Sequence, residues 1–284
     1  MTTLIATKAD YKQKKAAVLA KYSASGPSTR GVHHGLRQLA GLVDSTLCAL
    51  WDLAGLSAPL CLVAVGGFGR GELFPYSDVD VLVLAPDGHA PHEAPALQAR
   101  IEAFISSCWD CGLEIGSSVR TLSECLAEAD KDVTVQTSLL ESRWITGDAA
   151  LYKRFAANYA QAIDPKAFFV AKTLEMRQRH TKFENTPYSL EPNCKESPGG
   201  LRDLQVILWV AKAAGLGHSW DELARKGLVT SFEVSQIKRN ESLLSLIRAR
   251  LHLHASRRED RLVFDLQTAV AESFGYTATQ GQGG

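Results

Sequence analysis

Two short runs in this chain have the residue types and spacing to bind phosphate groups and metal ions. The first is the glycine-rich run Gly66–Glu72, with the sequence GGFGRGE, and the second is Ser77–Asp80, with the sequence SDVD. Backbone N–H groups beside a glycine can approach phosphate oxygens closely because no Cβ stands in the way. Carboxylates are ligands that Mg²⁺ prefers. Together the two runs predict a site for a nucleoside triphosphate and its magnesium ions.

Two strands are needed to position these runs. The apolar run CLVAV at 61–65 stops at two glycines and predicts a buried strand, and VDVLVL at 79–84 predicts a second one. Side chains at i and i+2 of a strand point to the same face, so Asp78 and Asp80 should lie side by side. Two carboxylates on one face repel each other unless a cation bridges them. We therefore assign both as catalytic residues and metal ligands.

The glycine run is assigned to the nucleotide together with the serine of the second run. The residues concerned are Gly66, Gly67, Gly69, Arg70 and Ser77. The arginine has two interpretations, a phosphate contact or the partner of a structural carboxylate. No Gly-Lys-Ser/Thr follows the run and its spacing fits GxGxxG imperfectly, so neither a Walker A loop nor a dinucleotide site is supported. The interpretation without a ligand is a tight turn followed by an acidic strand end in solvent.

The rest of the chain predicts helices around a small sheet, then a helical region. Near the two runs we expect a third strand at 114–121 and helices at 8–22, 31–53, 96–111, 122–129 and 133–144. After residue 148 helical patterns take over, at 151–182, 201–214, 220–226 and 234–256. We divide the chain into N-terminal helices (1–57), a catalytic core (58–148), an α-helical domain (149–276) and a disordered tail (277–284).

Composition restricts the class of protein. Lys plus Arg and Asp plus Glu are both 31 in 284 residues, so the net charge is +0 and nucleic acid is not expected as a partner. No apolar run reaches the length of a membrane span, and no secretory leader is visible. Six cysteines in such a chain predict reduced thiols and a cytoplasmic protein. Cys108 and Cys111 form a single CxxC, which favours two thiols at a buried helix end over a zinc site.

The run VAVGGFGRGELFPYSDVDVLVL at 63–84 resembles the nucleotidyltransferase motif of the polymerase-β superfamily. In detail it is similar to the bacterial PII uridylyltransferase/uridylyl-removing family, and two further segments, Pro192–Gln205 and Arg257–Asp265, carry the same resemblance. The resemblance implies an α/β (α+β) polymerase-β-like nucleotidyltransferase core with flanking helices, followed by an α-helical module.

The same resemblance implies a reaction. UMP would pass from UTP to a tyrosine of the PII signalling protein, with Mg²⁺ as cofactor and release of pyrophosphate. The superfamily has a third carboxylate on a later strand, and Glu114 has the right chemistry for it. The usual acidic position falls nearer Gly116, so Glu114 as base or third ligand competes with a partly solvated strand residue; Asp110 is a weaker option.

Two alternatives to this function stay open at the level of sequence. One is an adenylyltransferase acting on glutamine synthetase or a small molecule, because glycines and carboxylates contact only phosphate and metal. The other is a non-catalytic nucleotide-binding or regulatory fragment. The family continues into an HD hydrolase domain and two ACT domains, and we expect this chain to lack uridylyl removal and glutamine sensing.

Smaller signals lie in the helical region. Lys195, Arg202 and Asp203 surround a Pro-Gly-Gly turn, and they either close over the nucleotide or dock the helical region, or merely cap a helix beside a solvated lysine. His252 and His254 do not share a helix face, which argues against a metal pair. A basic run is expected to be a solvated face or an ion-pair network rather than a ligand contact. Its members are Arg248, Arg250, Arg257, Arg258 and Arg261.

Overall fold

The computed structural model of the protein describes residues 3–24 and 28–277. The strands are β1 (Cys61–Ala64), β2 (Val79–Ala85), β3 (Ile115–Thr121) and β4 (Arg143–Gly147). The helices up to the end of the sheet are α1 (Leu4–Ala24), α2 (Val32–Leu53), α3 (Gly66–Gly69), α4 (Pro95–Cys111), α5 (Leu122–Lys131) and α6 (Val133–Leu140). The later helices are α7 (Ala149–Ala162), α8 (Pro165–Thr181), α9 (Leu201–Ala213), α10 (Trp220–Arg225), α11 (Ser231–Ala255) and α12 (Phe264–Ser273).

The four strands form one mixed sheet in the order β3-β2-β1-β4. β1 is antiparallel to both β2 and β4, whereas β2 and β3 are parallel and are joined through α4. β1 is buried throughout and β2 nearly so, which explains why both are continuous apolar runs rather than alternating ones. The register places Asp80 opposite Gly116, so these two residues occupy the same face of neighbouring strands.

Helices cover this sheet with apolar side chains. The periodic residues predicted for the second helix are buried as one face of α2, and they include Leu36, Leu47 and Leu50. Trp51 of α2 meets Phe104 of α4 edge to face, with ring centroids 5.5 Å apart. α7 packs against β1, β2 and β4. The hydrophobic core around the sheet is therefore the layer between the sheet and these helices.

The chain divides into two compact units whose limits differ from the predicted domains. The first unit comprises the chain up to Val18, Leu36–Leu73 and Ser77–Phe168. The second comprises Leu19–Gly35, Phe74–Tyr76 and the chain from Phe169 on. Because α7 packs on the sheet, the first unit extends past residue 148. The predicted disordered tail at 277–284 lies, except for Thr277, outside the described residues.

The prediction of a helix over 133–144 is wrong at its C-terminal end. α6 stops at Leu140, and Arg143–Gly147 is β4. The β-branched Ile145 and Thr146 suit a strand, and pairing with the free side of β1 decides the conformation. Gly147 has φ +84°, and a Cβ there would lie 2.4 Å from the carbonyl oxygen of Leu60. A glycine therefore allows the strand to end close against β1.

None of the helices in the described ranges combines the length and the apolar character needed to cross a lipid bilayer.

Candidate active site

The carboxylate of Asp80 lies between two backbone positions that carry no side chain. A Cβ on Gly116 would be 2.5 Å from Oδ1 of Asp80, and a Cβ on Gly66 would be 3.6 Å from Oδ2. Gly66 adopts φ +55°, a conformation that favours glycine. The peptide N–H of Val65 donates to the Asp80 carbonyl at 3.0 Å, which fixes the glycine turn to β2. The structure thus brings the two predicted runs together around one carboxylate.

Asp78 stands one residue before β2 and is exposed, whereas Asp80 is half-buried. The strand end is tied to its neighbour because the Val79 N–H donates to the Glu114 carbonyl at 2.8 Å. Glu114 is exposed. Burial is the main cause of the raised pKa of Tyr11, and the negative charges of Cys111 and Glu114 add smaller contributions. The role of Glu114 as third carboxylate or base stays a prediction.

The residues around Asp80 fit a magnesium ion bound with a nucleotide. Mg²⁺ takes hard oxygen ligands and is held in nucleotide enzymes by one or two carboxylates together with substrate phosphates. Asp78 and Asp80 supply that donor chemistry, and the backbone positions of Gly66 and Gly116, which carry no side chain, lie next to the two oxygens of Asp80. Within residues 3–24 and 28–277, no three His, Cys, Asp or Glu side chains form a metal-binding group.

The glycine run folds into the short helix α3, and its glycines have different surroundings. Gly67 is exposed, and the nearest atom to a Cβ there would be Nη2 of Arg70, at 3.6 Å. Gly69 is buried, and a Cβ there would lie 1.7 Å from the carbonyl oxygen of Glu141. The position of Gly69 therefore reflects backbone packing as well as any contact with a ligand.

Arginines hold this helix in place. Arg70 forms an ion pair with the buried carboxylate of Glu141, which is the structural-carboxylate interpretation of this residue. Arg143 at the start of β4 donates to both oxygens of Asp44 at 2.8 and 3.0 Å and lies over the Phe68 ring at 5.3 Å. The sequence pattern contained no signal for these two pairs because their partners are 71 and 99 residues apart in the chain.

Ser138 is a residue of this region that the sequence interpretation missed. Its Oγ lies 3.4 Å from the position a Cβ of Gly66 would take, and Oδ2 of Asp80 lies 3.6 Å from the same position. Ser138 comes from α6, which the sequence joined to no motif. A hydroxyl so close to the glycine turn is a potential hydrogen-bond donor to a phosphate oxygen.

In the second unit, the segments Pro192–Gln205 and Arg257–Asp265 pair with each other. Asn193 and Arg261 form an antiparallel bridge, and the Cys194 N–H donates to the Asp260 carbonyl at 2.9 Å. Lys195 approaches Asp260 to 3.9 Å. The two segments singled out by the family resemblance are therefore one structural feature.

Charged side chains inside this feature are paired. Lys195 is only 16% exposed and lies 3.5 Å from Glu196, so the interpretation of a solvated lysine is wrong. Arg202 lies 3.1 Å from Glu196, and Asp203 accepts from Arg179, from His180 and from the backbone of the Pro-Gly-Gly turn. These contacts make the start of α9 a half-buried ion-pair network.

Two arginines of the basic run form ion pairs, and the two cysteines of the CxxC are buried thiols, as the sequence favours. Arg248 is buried against Asp260 at 2.6 Å, and Arg257 pairs with Glu259, which confirms an ion-pair network for these two arginines. Cys108 and Cys111 are buried free thiols at the end of α4. Burial raises the pKa of Cys108 to about 12, which makes this thiol a poor nucleophile.

Comparison with known proteins identifies the class of this chain. A family model described as nucleotidyltransferase domain matches residues 52–115, which include β1, the glycine turn and β2. A second model, described as GlnD PII-uridylyltransferase, matches residues 167–284. The sheet, the glycine turn and the domain match define a member of the nucleotidyltransferase class.

Curated relatives narrow this class. Proteins named bifunctional uridylyltransferase/uridylyl-removing enzyme from Burkholderia lata, Burkholderia mallei and Burkholderia vietnamiensis are each 58% identical over 97% of the chain. The chain belongs to this family, as the sequence resemblance predicts. It spans about a third of the length of these relatives, 31% in each case.

Proposed function

We propose that this chain transfers UMP from UTP to a tyrosine hydroxyl of the PII signalling protein, with Mg²⁺ as cofactor. The observation that carries the proposal is the Asp80 carboxylate, which lies between the glycine turn at Gly66 and Gly116 of β3. The family membership supports uridylyl transfer as the reaction. We propose the cytoplasm as its compartment, where the buried thiols would stay reduced.

In this proposal the protein contributes mainly position and charge, as is usual for phosphoryl transfer. Backbone N–H groups at Gly66 and Gly67 would bind phosphate oxygens, with Ser77 as a further donor. Asp78 and Asp80 would hold Mg²⁺, which neutralises the charge of the phosphates when it is bound. These contacts would orient the α-phosphorus toward the attacking oxygen.

The bond changes of the reaction balance without a further reactant. The tyrosine oxygen bonds to the α-phosphorus while the bond from that phosphorus to the bridging oxygen breaks, and pyrophosphate leaves. The phenolic proton must pass to a base, and we assign that role to Glu114, which is exposed beside the start of β2. Metal binding and positioning supply most of the rate enhancement, so loss of this base would slow the reaction without abolishing it.

A double variant tests the acidic pair. Asp78→Asn with Asp80→Asn should lower UMP transfer by at least about 10³-fold because both metal-binding carboxylates lose their charge. The measurement is incorporation of label from α-labelled UTP into purified PII, with ATP assayed in parallel to detect adenylyl transfer.

The matched control replaces two exposed aspartates outside the site, Asp52→Asn with Asp130→Asn. This control should transfer UMP like the wild-type chain. Transfer at the wild-type rate by the Asp78/Asp80 double variant would contradict the mechanism, and label from ATP but not from UTP would point to an adenylyltransferase.

A further inference from the structure

Side chains of α11 contact the segment Phe74–Tyr76, which precedes the SDVD run. Phe74–Tyr76 belongs to the second unit, and the chain continues directly from Tyr76 into Ser77 and Asp78. The guanidinium of Arg248 lies over the Phe74 ring, 4.0 Å from its centroid. The Tyr76 N–H donates to Nδ1 of His252 at 3.3 Å. Two side chains one turn apart on α11 thus hold this connection.

His252 is fully buried, and both of its ring nitrogens have partners. Nδ1 accepts the bond from Tyr76, so the proton of the neutral ring is on Nε2, which lies 3.3 Å from Oδ1 of Asp260. Asp260 also accepts from Nε of Arg248 at 2.6 Å. The carboxylate therefore fixes the tautomer and the orientation of the ring that holds Tyr76.

The bond between Tyr76 and His252 lies close in the chain to the predicted metal ligand Asp78. Asp78 precedes the first ladder residue of β2, Val79, whose N–H donates to the Glu114 carbonyl. Only Ser77 separates Asp78 from the backbone group that His252 holds. Asp80, in contrast, lies inside the ladder, opposite Gly116.

We propose that His252 is a positioning residue for Asp78, acting through its Nδ1 bond to the Tyr76 backbone. The inference rests on the proposed function, because Asp78 matters as a ligand of the nucleotide-bound metal. It also gives a role to the segment Arg257–Asp265, whose Asp260 orients the histidine.

Two substitutions separate the two bonds of the ring. In His252→Asn, the amide oxygen is attached where Nδ1 is attached in histidine, so it can still accept from Tyr76. In His252→Gln, the amide reaches the place of Nε2, so the contact with Asp260 is kept and the acceptor for Tyr76 is lost. Both variants lose the ring from a buried site, so their stabilities fall together, and they serve as each other's control.

The first readout is hydrogen exchange at the Tyr76 amide, and the second is Mn²⁺ binding in the presence of UTP, followed by electron paramagnetic resonance. We expect His252→Gln to exchange this amide at least about fivefold faster than His252→Asn, as for the loss of one hydrogen bond. We also expect it to bind Mn²⁺ at least about fivefold more weakly. In the transfer assay, kcat should fall more than the KM for UTP changes.

Equal exchange and equal Mn²⁺ affinity in the two variants would overturn the inference, as would a larger loss in His252→Asn. A wild-type chain that binds no Mn²⁺ with UTP would overturn it too. If the Mn²⁺ difference is found while the wild-type chain transfers no nucleotide, the positioning role stands and the proposed function fails.

Discussion

The close approach of Gly116 to Asp80 makes this glycine a test of the site at the scale of one residue. A Cβ in Gly116→Ala would lie 2.5 Å from Oδ1 of Asp80. The flexible carboxylate would rotate away, and the backbone would stay in place. We expect kcat/KM for UTP to fall by at least about tenfold, because a displaced ligand misaligns the phosphate, while the melting temperature changes little. Ser117→Ala, on the opposite face of β3, is the matched control; loss of activity in both variants would contradict this reading.

Single residues show where sequence reasoning stops. The proximity of Asp80 to the glycine turn could be predicted, because strand periodicity and a glycine-rich turn are local patterns. The ion pairs of Arg70 with Glu141 and of Lys195 with Asp260 could not be predicted, because they form only when distant segments of the chain come together. A basic residue next to a glycine or in a loop has the same local pattern whether it faces a ligand or a buried carboxylate.

At the scale of elements, α3 depends on close packing against the connection between α6 and β4. Gly69→Ala would place a Cβ 1.7 Å from the Glu141 carbonyl, where backbone must move. We expect a loss of about 1–3 kcal/mol in the free energy of unfolding, measured in urea, as for overpacked cores. Gly67→Ala is the control for stability, since the nearest atom there is a side-chain nitrogen 3.6 Å away. A similar loss in both variants would show that helix geometry rather than packing sets the cost.

Sequence patterns predicted β1, β2 and most helices because each has a periodic or continuous apolar run of its own. They failed at β4, where a short segment after a helix becomes a strand only because β1 offers an edge for pairing. They also assigned α7 to the helical domain, whereas its apolar face packs on the sheet. Helical periodicity gives the buried face of a helix but not the layer that covers it.

For the whole molecule, acid should weaken folding through the cluster around His252. Burial is the main cause that lowers the pKa of His252, and the positive charges of Arg248 and Arg258 lower it further. The hydrogen bond to Asp260 raises this pKa but does not outweigh the other causes. The unfolded chain then binds a proton below the ordinary value of 6.5 that the folded chain does not, so stability is full above that pH and falls below it.

Urea unfolding at about pH 7.5 and about pH 5.5 measures this effect. The wild-type chain should lose more stability between these conditions than His252→Asn, which has no ring to titrate. At lower pH a second loss follows, because the bond from His252 and the charge of Arg248 outweigh burial and hold the pKa of Asp260 below its ordinary 3.8. Equal losses in the wild-type chain and His252→Asn between the first two conditions would refute the assignment to His252.

Glu141 touches the glycine turn twice, with its carbonyl against Gly69 and its carboxylate on Arg70. A chimeric protein that received a turn without this arginine would keep the buried carboxylate of Glu141 without its cation, which would destabilise the fold. The turn and the residues around 141, far apart in the chain, therefore depend on each other, and engineering of the glycine turn should exchange them together.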